Sequence, residues 1–479
     1  MTSEAAYVWT WLPGAVDPVV AGRVDQVAEE LRFTYGRSYL GRSDAIPLEP
    51  ELPLRSGPQR PPIGLDAHGV IRDAAPDSWG MRVILRRHLR DGTEDTAALP
   101  LLTYLLESGS NRIGALDFQE APDVYVARES HATLDELVQA GERFARGLPV
   151  PQVFDDALAY SSGVGGARPK VLVVDGDRQL IAKFSVSTDT FPWMQAEAVG
   201  MELARRCGVE TAPSMLERVA DHDVLLVERF DRPGDGTRRS VLSALTLLGL
   251  HEIAARHGSY VDLAERIRLH FENPKETLHQ LFRRLVVNVL VGNTDDHPRN
   301  HAAFWDGRVL TLTPAFDVCP QPRSTGEAAQ AMAFGPHGER RSRLADCVRA
   351  AAVFQLSERE AQAIADECTT AVYEQYEDVC ALVGVGDQTK ELLWRRAVAN
   401  ESVFYPFEPV GNRPSATTEA QTFDFEDLVA GETAGQPRQL PRTVGPGTVL
   451  QQACGAWMPV ARARCALVRG HAGHHRSGR

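Results

Sequence analysis

Asp295, Asn300 and Asp317 are the residues of this chain best suited to chemistry. The first two lie in Gly292-Asn293-Thr294-Asp295-Asp296-His297-Pro298-Arg299-Asn300, and the third follows seventeen residues later in Leu312-Thr313-Pro314-Ala315-Phe316-Asp317. An acid, an amide and a second acid form the inventory of magnesium-dependent phosphoryl transfer. A general base takes the proton of an attacking hydroxyl, and oxygen ligands hold a hard cation against phosphates. Asp295 suits the first task, Asn300 and Asp317 the second. The same letters also suit an ordinary Asn/Asp-rich turn after a helix C-terminus.

The flanking sequence positions these groups. Pro274 to Val291 carries Leu278, Leu281, Phe282, Leu285, Val286, Val289 and Leu290 at helical spacing, which predicts a buried, rigid helix that delivers the polar cluster. After the cluster, Ala302-Ala303-Phe304-Trp305, an Asp306-Gly307 turn and Val309-Leu310-Thr311-Leu312 predict a hairpin that brings Asp317 back to face Asn300. The five-residue step from Asp295 to Asn300 equals the step from base to metal-binding Asn in the H-R-D-x-x-x-x-N loop.

Three other segments supply parts of a phosphate site. Ser161-Ser162-Gly163-Val164-Gly165-Gly166-Ala167-Arg168-Pro169-Lys170 runs into a strand, and Gly163, Val164, Gly165, Gly166 and Ala167 could bring backbone amides close to a phosphate. It fits neither the Walker pattern nor G-x-G-x-x-G, and a flexible turn is the alternative. Lys183, in Leu180-Ile181-Ala182-Lys183-Phe184, is costly in an apolar strand unless its ammonium finds a partner. Nucleotide phosphates and Glu197 on the following helix are the natural partners; a snorkelling Lys183 and a solvated Glu197 are the bland readings. Leu225-Leu226-Val227-Glu228-Arg229-Phe230-Asp231-Arg232 reads as a strand breaking into a connector, where Glu228 and Phe230 offer backbone groups to adenine or simply end the strand.

The chain has 479 residues, 43% hydrophobic and 24% charged, enough for two or three globular domains. A net charge of −13 argues against a broad nucleic-acid grip by the chain itself. Seven scattered cysteines do not form a disulfide framework, and no signal peptide or membrane-length apolar run is evident, so a cytoplasmic, membrane-free protein is expected. The pattern predicts an α+β, two-lobed protein-kinase-like fold with a β-rich N-terminal part and a mainly α-helical C-terminal lobe. Its expected divisions are an N-terminal subdomain over 1–130, a β-rich lobe over 131–240, a helical lobe over 241–405, a Pro/Gly/Thr/Gln-rich disordered linker over 406–453 and a basic tail over 454–479.

Together these motifs resemble the HipA family, serine/threonine kinase toxins of type II toxin–antitoxin systems. Gly163 to Lys170 is similar to that family's phosphate loop, Val227 to Arg232 to its hinge, Gly292 to Asn300 to its catalytic loop, and Leu312 to Val318 to its metal-binding segment. Asp73 to Gly80 and Ser108 to Leu116 resemble its N-terminal subdomain, and the likeness runs from about residue 7 to 400.

The resemblance implies transfer of the ATP γ-phosphate to a protein serine, with Asp295 as base, Asn300 and Asp317 on Mg²⁺ and Lys183 on phosphates. It also implies a small helix-turn-helix antitoxin that carries the contact with operator DNA. Its known targets include an aminoacyl-tRNA synthetase, and autophosphorylation of a phosphate-loop serine switches its members off. Gly163 stands where that serine is expected, with Ser161 and Ser162 just before it, which leaves self-inactivation open. His297 suits either loop orientation or phosphate contact, and Arg299 replaces a lysine often found beside the metal Asn.

The tail stands outside the resemblance. Cys454, Cys465, His471, His474 and His475 offer soft sulfurs and imidazoles for a tetrahedral Zn²⁺, with Cys454, Cys465, His471 and His475 as the ligand set and a disordered basic tail as the alternative. Two further functional readings stand beside the kinase: a catalytically weak co-repressor acting through its antitoxin, and a small-molecule phosphotransferase.

Overall fold

The computed structural model describes residues 4–90, 99–130, 132–161, 163, 168–323 and 326–406. In the N-terminal subdomain, β1 (Ala5–Thr10), β2 (Val19–Val27) and β3 (Glu30–Tyr35) form an antiparallel meander. Two helices follow, α1 (Ser78–Arg90) and α2 (Leu101–Glu107), before β4 (Leu116–Gln119) pairs with β1 and completes the sheet order β3-β2-β1-β4. All four residues of β4 are buried, as expected of a strand covered on both faces.

The β-rich lobe opens with α3 (Leu134–Ala145), whose Thr133 and Glu136 exchange hydrogen bonds as a capping box, and α4 (Gln152–Ser161). Next come β5 (Lys170–Asp175), β6 (Arg178–Phe184), α5 (Trp193–Arg206), β7 (Ser214–Val219) and β8 (His222–Glu228), with strand order β5-β6-β8-β7. Trp79 and Val83 of α1, Leu158 of α4, and Val171, Phe184 and Val224 of the sheet fill one core.

In the helical lobe, β9 (Ser240–Ser243) precedes α6 (Tyr260–His270) and α7 (Pro274–Val291), then β10 (Ala302–Trp305), β11 (Leu310–Leu312), α8 (Glu358–Val383) and α9 (Asp387–Arg396). The predicted hairpin forms, with Ala303 opposite Leu312 and Trp305 opposite Leu310. β9 joins its other edge as a third strand where the pattern suggested only helix; its four residues are too few to show a period, and pairing with β10 holds them. α4 and the edge strand β7 likewise lie where the pattern did not single them out. The fold is α+β, two-lobed and kinase-like. Five described cysteines, Cys207, Cys319, Cys347, Cys368 and Cys380, are free thiols, and among the described residues no helix is long and apolar enough to cross a membrane. Nearly all of the proposed linker, and the whole basic tail with its Cys454, Cys465, His471 and His475 set, lie outside the described residues.

α7 is the element that sets the site. Pro274 occupies its first turn, where a missing amide hydrogen costs nothing, and both faces are packed, which explains its continuous burial from Leu285 to Val291. It stops at Gly292, which takes a left-handed φ of 76° and donates its amide to the Val289 carbonyl at 3.3 Å. A side chain there would also meet the Ala397 carbonyl, 2.6 Å from an ideal Cβ. Gly292→Ala is therefore expected to destabilise the fold by about 1–3 kcal/mol, read as a lower denaturation midpoint at unchanged m-value.

Candidate active site

The centre of the site is a buried ion-pair chain. Lys183 on β6 lies 2.5 Å from Glu197 Oε1 on α5 and also pairs with the Asp317 carboxylate. Glu197 is 3% exposed, whereas the Asp317 side chain keeps 39% of its surface open to the cleft. Gly200, one turn beyond Glu197, permits this approach: an ideal Cβ there would come within 2.2 Å of the Val318 carbonyl. Asp317 itself has φ 61°, a left-handed conformation that Asp tolerates better than most residues.

Burial alone would push the Lys183 ammonium towards neutrality, but Asp317 and Glu197 raise its pKa above the ordinary lysine value. For Asp317 burial acts upward, yet Lys183 and Lys170 hold the carboxyl well below the usual range, so it is ionised. Burial raises Glu197, with Lys183 opposing and Asp317 reinforcing that shift. Lys170 faces Lys183 directly across the β5–β6 ladder and is itself buried. Burial lowers its pKa, while Asp77 from the N-terminal subdomain opposes that change. Burial in turn lifts Asp77 to about 6, against the pull of Lys170.

The loop after α7 leaves Asp295 partly open to solvent, in a setting that still withholds some of its hydration, and buries Asn293 and Asp296. Burial raises the Asp295 pKa; His297 opposes the shift, and Asp317 and Asp296 add to it, a direction suited to a group that must accept a proton. Asn300 donates Nδ2 to the Asp295 carbonyl at 3.3 Å, which leaves its Oδ1 as an oxygen donor. Asp296 points inward, accepts the Tyr260 hydroxyl hydrogen and lies 3.0 Å from His301 Nε2. Asn288 Nδ2 donates to the Tyr260 oxygen at 3.4 Å, and Asn293 Nδ2 lies 3.0 Å from Asn288 Oδ1 and 3.5 Å from the Asp317 carbonyl. Asn293 thus ties the Asp295 loop to the Asp317 segment from behind. His297 is half-buried at the cleft, and its Nδ1 has no hydrogen-bond partner among the described residues.

At the hinge, the Glu228 amide donates to the Pro213 carbonyl at 2.8 Å and the Arg229 amide to the Gln179 carbonyl at 2.9 Å. The Phe230 ring stands 5.7 Å from Phe304 and 5.6 Å from Phe316, joining the hinge to β10 and to the residue before Asp317. Gly163 is buried; Ser162 and Val164, Gly165, Gly166 and Ala167 lie outside the described residues. Ser161 ends α4, buried, with its hydroxyl donating to the Ala157 carbonyl at 2.6 Å, so this serine is not presented to the cleft.

Among the described residues no group of three or more His, Cys, Asp or Glu side chains is arranged around a metal position. The Asn300 amide oxygen and the Asp317 carboxylate are nonetheless the hard donors that Mg²⁺ takes, since it commonly binds one or two protein oxygens and completes its shell with water and substrate phosphates.

A family model described as the HipA N-terminal domain matches residues 15–119, and one described as the HipA-like C-terminal domain matches residues 162–376. The chain belongs to the HipA family. A protein of Sinorhizobium fredii, named "Putative kinase Y4mE", is 25% identical over 353 residues, covering 66% of this chain and 77% of its own. The HipA of Shewanella oneidensis, solved in complex with HipB and its operator DNA, superposes with a TM-score of 0.57 at 18% identity, over 80% of this chain and 95% of that one, which shows a shared fold.

In this HipA-family chain the structure brings Lys183, Glu197 and Asp317 into direct contact, carries Asp295, His297 and Asn300 on one loop, and places Glu228 at the end of β8 with Phe230 just beyond it. Sequence reasoning passed over Lys170, Asp77, Tyr260, Asn288, Asn293, Asp296 and His301. Asp296 and Asn293 carried a weak signal, as polar residues beside a helix buried on every face; Tyr260 carried none.

Behind the hinge, Asp231 is buried between Arg229 and Arg232, whose guanidinium groups donate to it at 2.7 and 2.9 Å. Burial opposes ionisation, yet Arg229 and Arg232 draw its pKa from 3.8 down to about 2. A depressed carboxyl stabilises the fold above its unfolded pKa and loses that contribution as pH falls through the folded one. Urea titrations across acid pH should therefore show about 2 kcal/mol of stability lost between pH 4 and 2 from this group. Asp231→Asn should be less stable at neutral pH and lack that part of the acid slope.

Proposed function

We propose that this chain is an ATP- and Mg²⁺-dependent protein serine/threonine kinase that acts as the toxin of a toxin–antitoxin pair in the cytoplasm. The observation that carries the reading is the Glu197–Lys183–Asp317 chain set beside an exposed Asp295, because a strand lysine paired to a helix glutamate and a metal-binding aspartate facing a catalytic base are the parts of a phosphoryl-transfer site. Asp295 would accept the proton of the substrate hydroxyl, its basicity raised by burial and by its acidic neighbours. Lys183, held charged by two carboxylates, would carry the phosphates, with Gly163, Val164, Gly165, Gly166 and Ala167 as the further candidates for ATP binding. The Glu228 amide is committed to Pro213, so Glu228 would offer adenine its carbonyl, beside the backbone groups of Phe230. Mg²⁺, bound through Asn300 and Asp317, would supply charge neutralisation at the phosphates.

The partner reading rests on the family and on charge. A helix-turn-helix antitoxin is the expected partner, with operator DNA reached through it. The net charge of −13 favours that division of labour over direct DNA binding. The substrate is expected to be a cytoplasmic protein, with the translation machinery, such as an aminoacyl-tRNA synthetase, as the first class to test. Self-phosphorylation at Ser161 would require its hydroxyl to leave the Ala157 carbonyl.

Incubation of the purified chain with γ-labelled ATP and a cell lysate tests the reading. Label should enter protein with the native chain, and Asp295→Asn should reduce it by roughly 10²–10⁴-fold. Lys183→Ala should reduce it by roughly 10²–10³-fold. Labelled small molecules without labelled protein would point to the phosphotransferase reading; no label at all, with antitoxin binding intact, would point to the co-repressor.

A further inference from the structure

One segment of the N-terminal subdomain touches both ends of the proposed nucleotide site. Arg112 turns its side chain into its own subdomain, where Nε donates to Asp117 at 2.9 Å and Nη1 to the Ser108 hydroxyl at 2.8 Å and the Ala74 carbonyl at 3.1 Å. Its carbonyl faces the hinge, accepting from Arg229 Nη2 at 2.5 Å and Arg232 Nη2 at 2.6 Å. Asn111 Oδ1 accepts from Arg229 Nη1 at 2.7 Å, and its Nδ2 donates to Gln179 Oε1 on β6 at 2.9 Å. The Gly114 amide donates to Asp231 at 2.8 Å, and its carbonyl accepts from Arg232 at 2.9 Å. The same segment reaches the entry to the glycine-rich stretch. Gly109 abuts the Tyr160 carbonyl so closely that an ideal Cβ would lie 2.1 Å from it, and Gly163 rests against the backbone of Asn111 and Arg112.

We infer that residues 109–114 form a bracket that fixes the spacing between the hinge and the Tyr160 and Gly163 backbone, and that Asn111 is its positioning residue for nucleotide binding. The inference rests on the kinase reading above. Close-packed contacts held by several hydrogen bonds resist stretching, so a displaced bracket moves the groups on both sides of it. Truncating Asn111 removes the nearer acceptor of Arg229 Nη1, leaving only the Asn111 carbonyl at 3.5 Å, and breaks the link to Gln179, while deleting no group proposed to touch ATP. Binding therefore weakens through misplacement of the site, with no loss of direct contact.

The test is titration of the full chain with a fluorescent ATP analogue in the presence of Mg²⁺, alongside thermal unfolding. Asn111→Ala should bind about tenfold more weakly. Gln179→Met, which removes only the partner of Asn111 Nδ2 from a partly exposed strand position, should shift affinity the same way and decides the matter if Asn111→Ala does not fold. Tyr35→Phe serves as the control: it loses the hydroxyl that meets the Leu52 carbonyl at 2.8 Å and the Leu48 amide at 3.0 Å in the same subdomain, away from the hinge. It should lower the melting temperature while leaving affinity within about twofold. Native affinity in the folded Asn111→Ala chain, or an equal loss in Tyr35→Phe, overturns the bracket. Failure of the native chain to bind the analogue overturns the kinase reading on which it rests.

Discussion

An ammonium group can be nine-tenths buried only where carboxylates meet it, and Lys183 meets two that come from different elements. That pairing fixes three things together: the face of β6 turned to the cleft, the rotation of α5 that aims Glu197, and the left-handed turn that aims Asp317. Removing Lys183 leaves two carboxylates without their shared cation in a poorly solvated place. Lys170, directly across the ladder, adds a second positive group, and like charges at facing strand positions repel. Asp77 lies close enough to oppose the shift that burial and Lys183 impose on Lys170, so the N-terminal subdomain takes part in the charge balance of the cleft.

Beneath the exposed base runs a second polar system from His301 through Asp296, Tyr260, Asn288 and Asn293 to the Asp317 carbonyl. It is sunk in the apolar core of α6, α7 and the hairpin, where a hydrogen bond counts for more than in water and a missing one is expensive. Such a network selects one arrangement of the two functional loops over nearby ones. The Asp295 carboxylate can stay partly open to solvent because its neighbours carry the structural burden.

Much of this was legible where the signals were local. Proline at the start of α7 and glycine at its end, with a helical apolar period between, mark an element whose bounds the structure reproduces at Pro274 and Val291. The Asp306-Gly307 turn similarly announces the hairpin, and an isolated lysine in an apolar strand announces a partner. What stayed hidden depends on distant pairing. β9 becomes a strand only because β10 lies beside it, and the fit of Asp296 depends on Tyr260, thirty-six positions earlier. Residues such as Asn288 look like blemishes in an amphipathic pattern until the side chain that completes them is known.

Arg112 belongs to both halves at once, its guanidinium committed to Asp117 in one and its carbonyl to two hinge arginines in the other. The two sequence regions are consequently not independent folding units. Cut from its N-terminal partner, the kinase-like half would keep Arg229, Asp231 and Arg232 together but leave their outward hydrogen bonds to water. In ribosomal synthesis the order is favourable: the segment that receives the hinge is made more than a hundred residues ahead of it, so the acceptor surface can be waiting when those arginines emerge.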